Sequence, residues 1–371
     1  MSERSYQICN RCIMDTTDPN ITFDEKGICN HCTDAFERAK TTWFPNKEGE
    51  RKLLAIVDQI KTSQRKKEYD CIIGLSGGVD SSYLAYKVVE LGLRPLVVHI
   101  DCGWNSEMAV KNVENIVKKL NLDLHTHVVD WQEMKDLQLA YFKANVANQD
   151  VPQDHAIFAA LYSYAVRNNI KYVFSGGNFA TESILPKAWG YNNMDSKNLK
   201  SIHKKFGTRK LKRFPIVSFF KYYIFYPFIW KMKVVRLLNM IEYDKERAME
   251  TMKEKLDWQY YGGKHHESRF TKFFQAYYLP HKFGYDKRRA HLSSLIVSGQ
   301  MDRDQALAEM QEEIYPSDSH LEDMEYVAKK LGISLTEFQD IVAMPNKSYK
   351  DYPNVEGLFK LGFKIRDKLF S

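Results

Sequence analysis

The segment Cys71-Ile72-Ile73-Gly74-Leu75-Ser76-Gly77-Gly78-Val79-Asp80-Ser81-Ser82 constrains the fold of this chain more than any other. Its short, unbroken apolar run reads as a strand buried on both faces. The residues after it, with Leu84, Ala85, Val88 and Leu91 at helical spacing, read as an amphipathic helix. At the junction, adjacent glycines let the main chain approach a ligand's oxygens without a Cβ clash, and Ser76, Ser81 and Ser82 add hydroxyls. The helix N-terminus contributes N–H groups and the positive end of its dipole, so the junction is an anion cradle. It lacks the lysine of the Walker loop G-x-x-x-x-G-K-[ST], which excludes the γ-phosphoryl transfer arrangement built on that lysine. Asp80 is available to hold Mg²⁺.

From Tyr69 to about Ser183 apolar strand-like runs alternate with amphipathic runs, the pattern of a parallel sheet with crossover helices. The predicted strands are Cys71–Leu75, Pro95–Ile100, Leu124–Val129 and Tyr172–Phe174. The predicted helices are Ser82–Leu91, Ser106–Leu120, Met134–Asn145 and His155–Asn168. An α/β fold with a doubly wound parallel sheet follows, and ligands in such sheets sit beyond the carboxyl ends of the strands. Two further strand ends therefore border the same site, at Asp101 and at Ser175-Gly176-Gly177-Asn178. Asp101 serves either as a strand-end turn or as a ligand contact. Gly176 and Gly177 again permit close backbone approach. Beyond Lys200 the strand signal fades and helices are predicted at Arg247–Leu256, Arg303–Glu313, Leu321–Leu331 and Leu335–Val342. The expected organisation is a module over residues 1–45, the α/β domain over 46–200, and a mostly helical region for substrate or partner binding over 201–371.

The first module rests on Cys9-Asn10-Arg11-Cys12 and Cys29-Asn30-His31-Cys32, two C-x-x-C knuckles at the spacing of a tetrathiolate zinc ribbon. Cys9, Cys12, Cys29 and Cys32 would saturate tetrahedral Zn²⁺ and leave no open position, so the site is expected to be structural. Of the six cysteines only Cys71 and Cys102 remain, and neither has a cysteine neighbour. This is no secreted disulfide scaffold, and Met1-Ser2-Glu3-Arg4-Ser5-Tyr6 has no apolar signal region, so a cytoplasmic location is expected.

Phe214 to Trp230 is dense in aromatics and flanked by Lys and Arg. It is shorter than the roughly 20 apolar residues of a membrane span, and Pro215, Lys221 and Pro227 interrupt it. It is expected to be a buried or subunit-interface helix, with peripheral membrane contact as the alternative. From Trp258 to Leu295 His, Lys, Arg and aromatics concentrate. Lys264, His265, Arg269, Lys282, Arg288 and Arg289 suit phosphates or a carboxylate, and Tyr260, Tyr261 and Phe270 suit a base or sugar face. The net charge of +7 favours anionic partners without choosing among them.

Ser76-Gly77-Gly78-Val79-Asp80-Ser81 after a first strand resembles the pyrophosphate loop of the PP-loop ATP pyrophosphatases, whose sheet is of the adenine-nucleotide α-hydrolase type. The resemblance implies ATP with its β- and γ-phosphates at Ser76, Gly77, Gly78, Asp80, Ser81 and Ser82, and release of pyrophosphate to leave an adenylated substrate. It also implies that Asp101 borders adenine and ribose, and that Gly176, Gly177 and Asn178 close over the phosphates. Taken with the paired C-x-x-C motifs, the segments Lys200–Gly207, Tyr261–Arg269 and Lys282–Leu295 resemble the N-acetyl sugar amidotransferases of lipopolysaccharide O-antigen and flagellar-glycan pathways. That resemblance implies conversion of an acetamido to an acetamidino sugar, with Asp80, Lys264, His265 and Arg269 in catalysis and Lys282, Arg288 and Arg289 on the sugar substrate. No glutaminase signature is present: Ser2 stands where an N-terminal nucleophile cysteine would, and neither Cys71 nor Cys102 forms a nucleophile elbow. A separate glutaminase subunit supplying ammonia is therefore expected, and no nucleic acid.

Two other readings stand beside this one. A tRNA-thiolating PP-loop enzyme fits the basic charge and the zinc module, but such enzymes carry sulfur-handling cysteines that this chain has almost none to supply. A non-catalytic nucleotide-binding scaffold is opposed by the intact Asp80 and its serines.

Overall fold

The computed structural model describes residues 5–262, 268–315 and 319–359. At its centre lies an all-parallel sheet of five strands in the order β3-β2-β1-β4-β5. The strands are β1 Cys71–Gly74, β2 Pro95–Asp101, β3 Leu124–Val128, β4 Tyr172–Phe174 and β5 Lys233–Val235. Helices α1 Asn30–Thr42 and α2 Lys47–Gln64 precede the sheet. Helix α3 Val79–Glu90 joins β1 to β2, α4 Glu107–Lys119 joins β2 to β3, and α5 Trp131–Lys143 with α6 Val151–Arg167 join β3 to β4. Beyond β4 come α7 Phe179–Glu182 and α8 Ser196–Phe206, then β5 and α9 Lys245–Leu256. The remainder is helical: α10 Arg269–Phe273, α11 Leu279–Phe283, α12 Lys287–Ser298, α13 Arg303–Glu309, α14 Ser319–Leu331 and α15 Leu335–Ala343.

Strand β1 is the middle of the sheet, and alternation along it feeds two cores. Ile72 joins Leu137 and Tyr141 of α5, Ala156 and Ala160 of α6, and the C-terminal Val327 and Phe338. Cys71 and Ile73 join Leu53, Val57 and Ile60 of α2, Leu84 and Val88 of α3, and Met252 of α9. Helices on both faces are what an all-parallel sheet requires, and they explain why the inner strands β1, β2 and β4 read as apolar runs. Ile72 and Ile73 are fully buried, and each contributes about 2 kcal/mol on transfer from water.

The four expected strands are all present, and the doubly wound α/β class holds. The structure adds three features to this outline. Strand β5 pairs in parallel with β4, Val173 opposite Val234, so the sheet extends beyond residue 200 where the strand signal fades. The charged stretch of residues 40–67, between the cysteine knuckles and β1, contains α2, capped by Asn46 and burying Leu53, Val57 and Ile60 at helical spacing beneath a charged face. The cysteine module is docked as well: Arg303 donates from Nε and Nη2 to the carbonyls of Cys9 and Cys12 at 3.0 to 3.2 Å, and Ser293 Oγ accepts from the Ile13 N–H at 3.2 Å.

Phe214 to Trp230 does not form one buried helix. Phe214 and Val217 are buried in an irregular stretch, and Lys221–Ile229 is a π-helix with Pro227 inside it. Of that helix Tyr226 is buried, whereas Ile224, Phe228 and Ile229 are exposed. Among the described residues no helix is long and apolar enough to cross a membrane.

Candidate functional site

The strand order places the site. From β1 the chain runs outward through β2 and β3 to one edge, and later through β4 and β5 to the other, so the loops after β1 and β4 diverge and open a crevice at the carboxyl end of the sheet. A cavity of about 450 Å³ lies there, bounded by Gly74–Ser76 and Gly78–Ser81 after β1 and by Phe174–Gly177 after β4. Its volume is in the range of small-molecule sites.

The loop after β1 is held in one shape. Gly77 has φ +82°, and a Cβ there would lie 2.4 Å from the Ala109 carbonyl oxygen, so both conformation and space require glycine. Ser76 Oγ accepts from the Gly78 N–H at 3.2 Å and lies 3.0 Å from Ser81 Oγ. Two groups from far along the chain brace the loop. Trp258 Nε1 donates to the Gly77 carbonyl at 2.9 Å, and the Tyr261 hydroxyl accepts from the Val79 N–H at 3.1 Å. Helices α4 and α5 start on the side-chain caps of Ser106 and Asp130, whereas α3 starts on Gly78 with none. Its N-terminus thus has no cap from the side chain of its N-cap residue, the Val79 N–H being held by Tyr261, and the positive end of the helix suits an anion.

Asp80, in the first turn of α3, lines the cavity and accepts a short hydrogen bond from the Tyr243 hydroxyl. Burial, then the Asp80 charge, pushes the Tyr243 phenol well above its usual range, so it remains the donor. Across the crevice a Cβ on Gly176 would come within 3.3 Å of the Asp80–Ser81 backbone, so the loop after β4 approaches the first loop closely.

The other expected site residues divide. Ser76, Gly78, Asp80, Ser81, Gly176 and Gly177 line the cavity. Ser82 instead is fully buried, and its hydroxyl makes no hydrogen bond among the described residues. Asn178 caps α7, accepting from the Thr181 N–H at 2.9 Å. Asp101 forms the strand-end turn, accepting from the Gly103 N–H at 2.7 Å and from Asn105 at 3.3 Å. At that strand end His99 Nδ1–H donates to the Leu75 carbonyl at 2.7 Å, leaving Nε2 to accept from Asn105 at 3.1 Å.

Of the C-terminal set, Lys264 and His265 lie outside the described residues. Arg269 is engaged elsewhere, pairing through Nε with Asp323 at 2.6 Å and lying over the Tyr326 ring. Lys282 donates to the Val342 and Met344 carbonyls at 2.6 Å, a bridge between α11 and α15. Arg289 pairs with Asp15 at 3.0 Å and donates to the Ile13 carbonyl at 2.9 Å, so it fastens the cysteine module to α12. Arg288 binds both oxygens of Asp286 and lines a second cavity of about 420 Å³, which shares Thr181, Lys245 and Tyr260 with the first.

Asp154, Glu182 and Lys245 also line the first cavity and went unnoticed in the sequence. Burial, and secondarily the Asp150 charge, raises the Asp154 carboxyl to about 8, and Asn193 Nδ2 donates to it at 2.5 Å. Asp154 thus keeps its proton to higher pH than an ordinary aspartate, beside the anion cradle, and such perturbed groups cluster at functional sites. No motif announces it, because the shift comes from the packing around it. Burial raises the thiols of Cys71 and Cys102 too, so neither supplies a thiolate at neutral pH.

Cys9, Cys12, Cys29 and Cys32 converge, with all four sulfurs within 4.8 Å of one another and all four residues buried. The Cys12–Cys29 sulfurs are 3.7 Å apart, against the roughly 3.8 Å edge of a tetrahedron with Zn–S bonds near 2.3 Å. Backbone N–H groups of Arg11 and Cys29 point at Cys9 Sγ at 3.4 and 3.2 Å, and that of Met14 at Cys12 Sγ at 3.4 Å, a donor shell that suits thiolates. The set fits a closed structural zinc site.

A family model described as the C-terminal domain of WbpG-like lipopolysaccharide (LPS) biosynthesis proteins matches residues 267–366. No curated protein matches the chain. Among solved structures the chain is similar to the NH3-dependent NAD synthetase of Campylobacter jejuni, at 16% identity and TM-score 0.30 over 42% of this chain and 72% of that one. It is similar also to NMN synthetase from Francisella tularensis, at 16% and 0.31 over 56% and 94%, and to a 4-thiouridine synthetase in complex with RNA and bound ATP, at 21% and 0.30 over 49% and 40%. Residues 267–366 thus match the C-terminal domain of WbpG-like LPS biosynthesis proteins, the kind of family to which the sequence resemblance points.

Proposed function

We propose that the chain is the synthetase component of an ATP-dependent amidotransferase acting on an N-acetylated sugar or sugar nucleotide, in lipopolysaccharide O-antigen or flagellar-glycan synthesis. The observation that carries this reading is the uncapped N-terminus of α3, set behind Ser76-Gly77-Gly78 and facing Gly176-Gly177 across a nucleotide-sized cavity. An amide carbonyl is a poor electrophile. Attack of its oxygen on the α-phosphorus of ATP breaks the bond to pyrophosphate and leaves an imidate bearing AMP. Ammonia then adds at the imidate carbon and loses a proton, and AMP departs with the C–O bonding pair to leave an acetamidino group.

In this reading the N–H groups of the loop and of α3 hold the β- and γ-phosphates, and Ser76 and Ser81 add hydroxyls. Asp80 and Glu182, both on the cavity wall, offer hard carboxylate oxygens for Mg²⁺. Mg²⁺ when bound neutralises charge on the departing pyrophosphate. Asp154, whose carboxyl burial raises, offers an O–H donor within the site when protonated. Lys264 and His265 are proposed to meet the sugar substrate. The zinc site is structural, a separate glutaminase supplies the ammonia, and the reaction belongs to the cytoplasm. Thiol chemistry has no support from Cys71 or Cys102, which are buried and protonated.

The test is incubation of the protein with ATP, Mg²⁺, ammonium and a panel of acetamido sugar nucleotides. Mass spectrometry should show the exchange of O for NH, with release of AMP and pyrophosphate. Pyrophosphate release with tRNA and a sulfur donor, and none with any sugar, would overturn the reading.

A further inference from the structure

Between residues 196 and 241 the chain has twelve Lys and Arg and not one Asp or Glu, whereas its total net charge is only +7. All twelve of these Lys and Arg are exposed, while the apolar residues between them supply most of the buried positions of the segment. Glu133 accepts from the backbone N–H groups of Lys212, Arg213 and Phe214 at 2.8 to 3.1 Å, and Asp136 from those of Thr208 and Arg209 at 3.0 to 3.1 Å. The nearby carboxylates are therefore occupied by main chain, and Arg209, Lys210, Lys212 and Arg213 are exposed. Arg213 reaches a carboxylate only at 3.8 Å, in Asp130.

The π-helix follows at once. Phe220 just before it and Ile224, Phe228 and Ile229 within it are 59%, 38%, 70% and 58% exposed, with Lys221 and Lys231 at its two ends. Arg167, Arg213, Lys221 and His127 converge on the wall of one pocket of about 180 Å³. His127 Nε2 is buried and makes no hydrogen bond among the described residues.

We propose that this face docks the protein on an anionic phospholipid membrane, with the π-helix entering the headgroup region and the pocket seating one headgroup phosphate. Apolar tips ringed by Lys and Arg suit the boundary between acyl chains and phosphates, where the cations remain at the headgroups. A second copy of the chain fits worse, because a two-fold contact through this face sets cations against cations. The proposal is independent of which reaction the cavity performs.

Flotation of the full chain with vesicles of phosphatidylcholine, alone or mixed with phosphatidylglycerol, tests it. The protein should float only with the mixed vesicles and be released as salt rises. Phe228→Ser with Ile229→Ser, and separately Lys210→Glu with Lys212→Glu, should each lower vesicle affinity by at least about tenfold, with unchanged thermal unfolding as proof of fold. No flotation with the mixed vesicles, or flotation indifferent to both double variants, would overturn it. So would a wild-type dimer that Phe228→Ser dissociates, or loss of flotation on removing residues 360–371 while both patch variants still float.

Discussion

At the scale of single residues, the site contrasts a contiguous motif with a side chain whose chemistry is made by its surroundings. Ser76 to Ser81 was legible because each residue acts within six positions of the next: glycine for close approach, serine for donors, aspartate at the helix start. Replacing Gly77 by Ala forces a Cβ against the Ala109 carbonyl at a left-handed φ. We expect it to lower stability by about 2 kcal/mol or more, measurable by denaturant unfolding; an unchanged midpoint would contradict the fit described. Asp154 was not legible, because the burial that chiefly raises its carboxyl comes from packing across the fold, the Asp150 charge four residues earlier being the lesser cause. Between pH 4 and about 8 the unfolded chain has released this proton while the folded chain retains it, so stability from this group falls as pH rises through that window. Asp154→Asn should flatten that slope and gain stability over wild type at pH 8 more than at pH 5. Parallel pH profiles for the two proteins would show that Asp154 titrates normally.

Among elements, strands β1, β2 and β4 and most helices were readable because burial on both faces leaves apolar runs and helical spacing leaves stripes. Strand β5 was missed for the complementary reason: Lys233-Val234-Val235 is three residues at a sheet edge, with Lys233 and Val234 exposed, and its place depends on pairing with β4. The bracing of the first loop was equally hidden, since Trp258 and Tyr261 follow α9 and act on a turn beside α3. Trp258→Phe keeps most of the buried ring but removes the N–H donated to Gly77. A lost hydrogen bond of about 1 kcal/mol should appear as a several-fold rise in KM for ATP with a small change in Tm. If both parameters stayed at wild-type values, the indole would be packing alone.

For the whole molecule, the cysteine ligands were plain in the sequence, but the attachment of their module was not. Arg289 was expected on an anionic substrate and Arg303 only at the start of a helix, yet the side chains of both meet the module's main chain. Because those arginines and Ser293 fasten the module to α12 and α13, zinc loss should reach beyond residue 45. We expect roughly one zinc ion per chain and a fall in Tm on chelation, with faster hydrogen exchange in α12 as well as in the module. Exchange confined to the module would show that the two parts are energetically separate. A related consequence concerns synthesis on the ribosome. The loop after β1 leaves the exit tunnel long before its braces, which lie 181 and 182 residues downstream in its hydrogen bonds from Trp258 and to Tyr261. A nascent chain halted near residue 200 would hold four strands and an unbraced loop, so the anion cradle reaches its final shape only once the second half of the polypeptide has emerged.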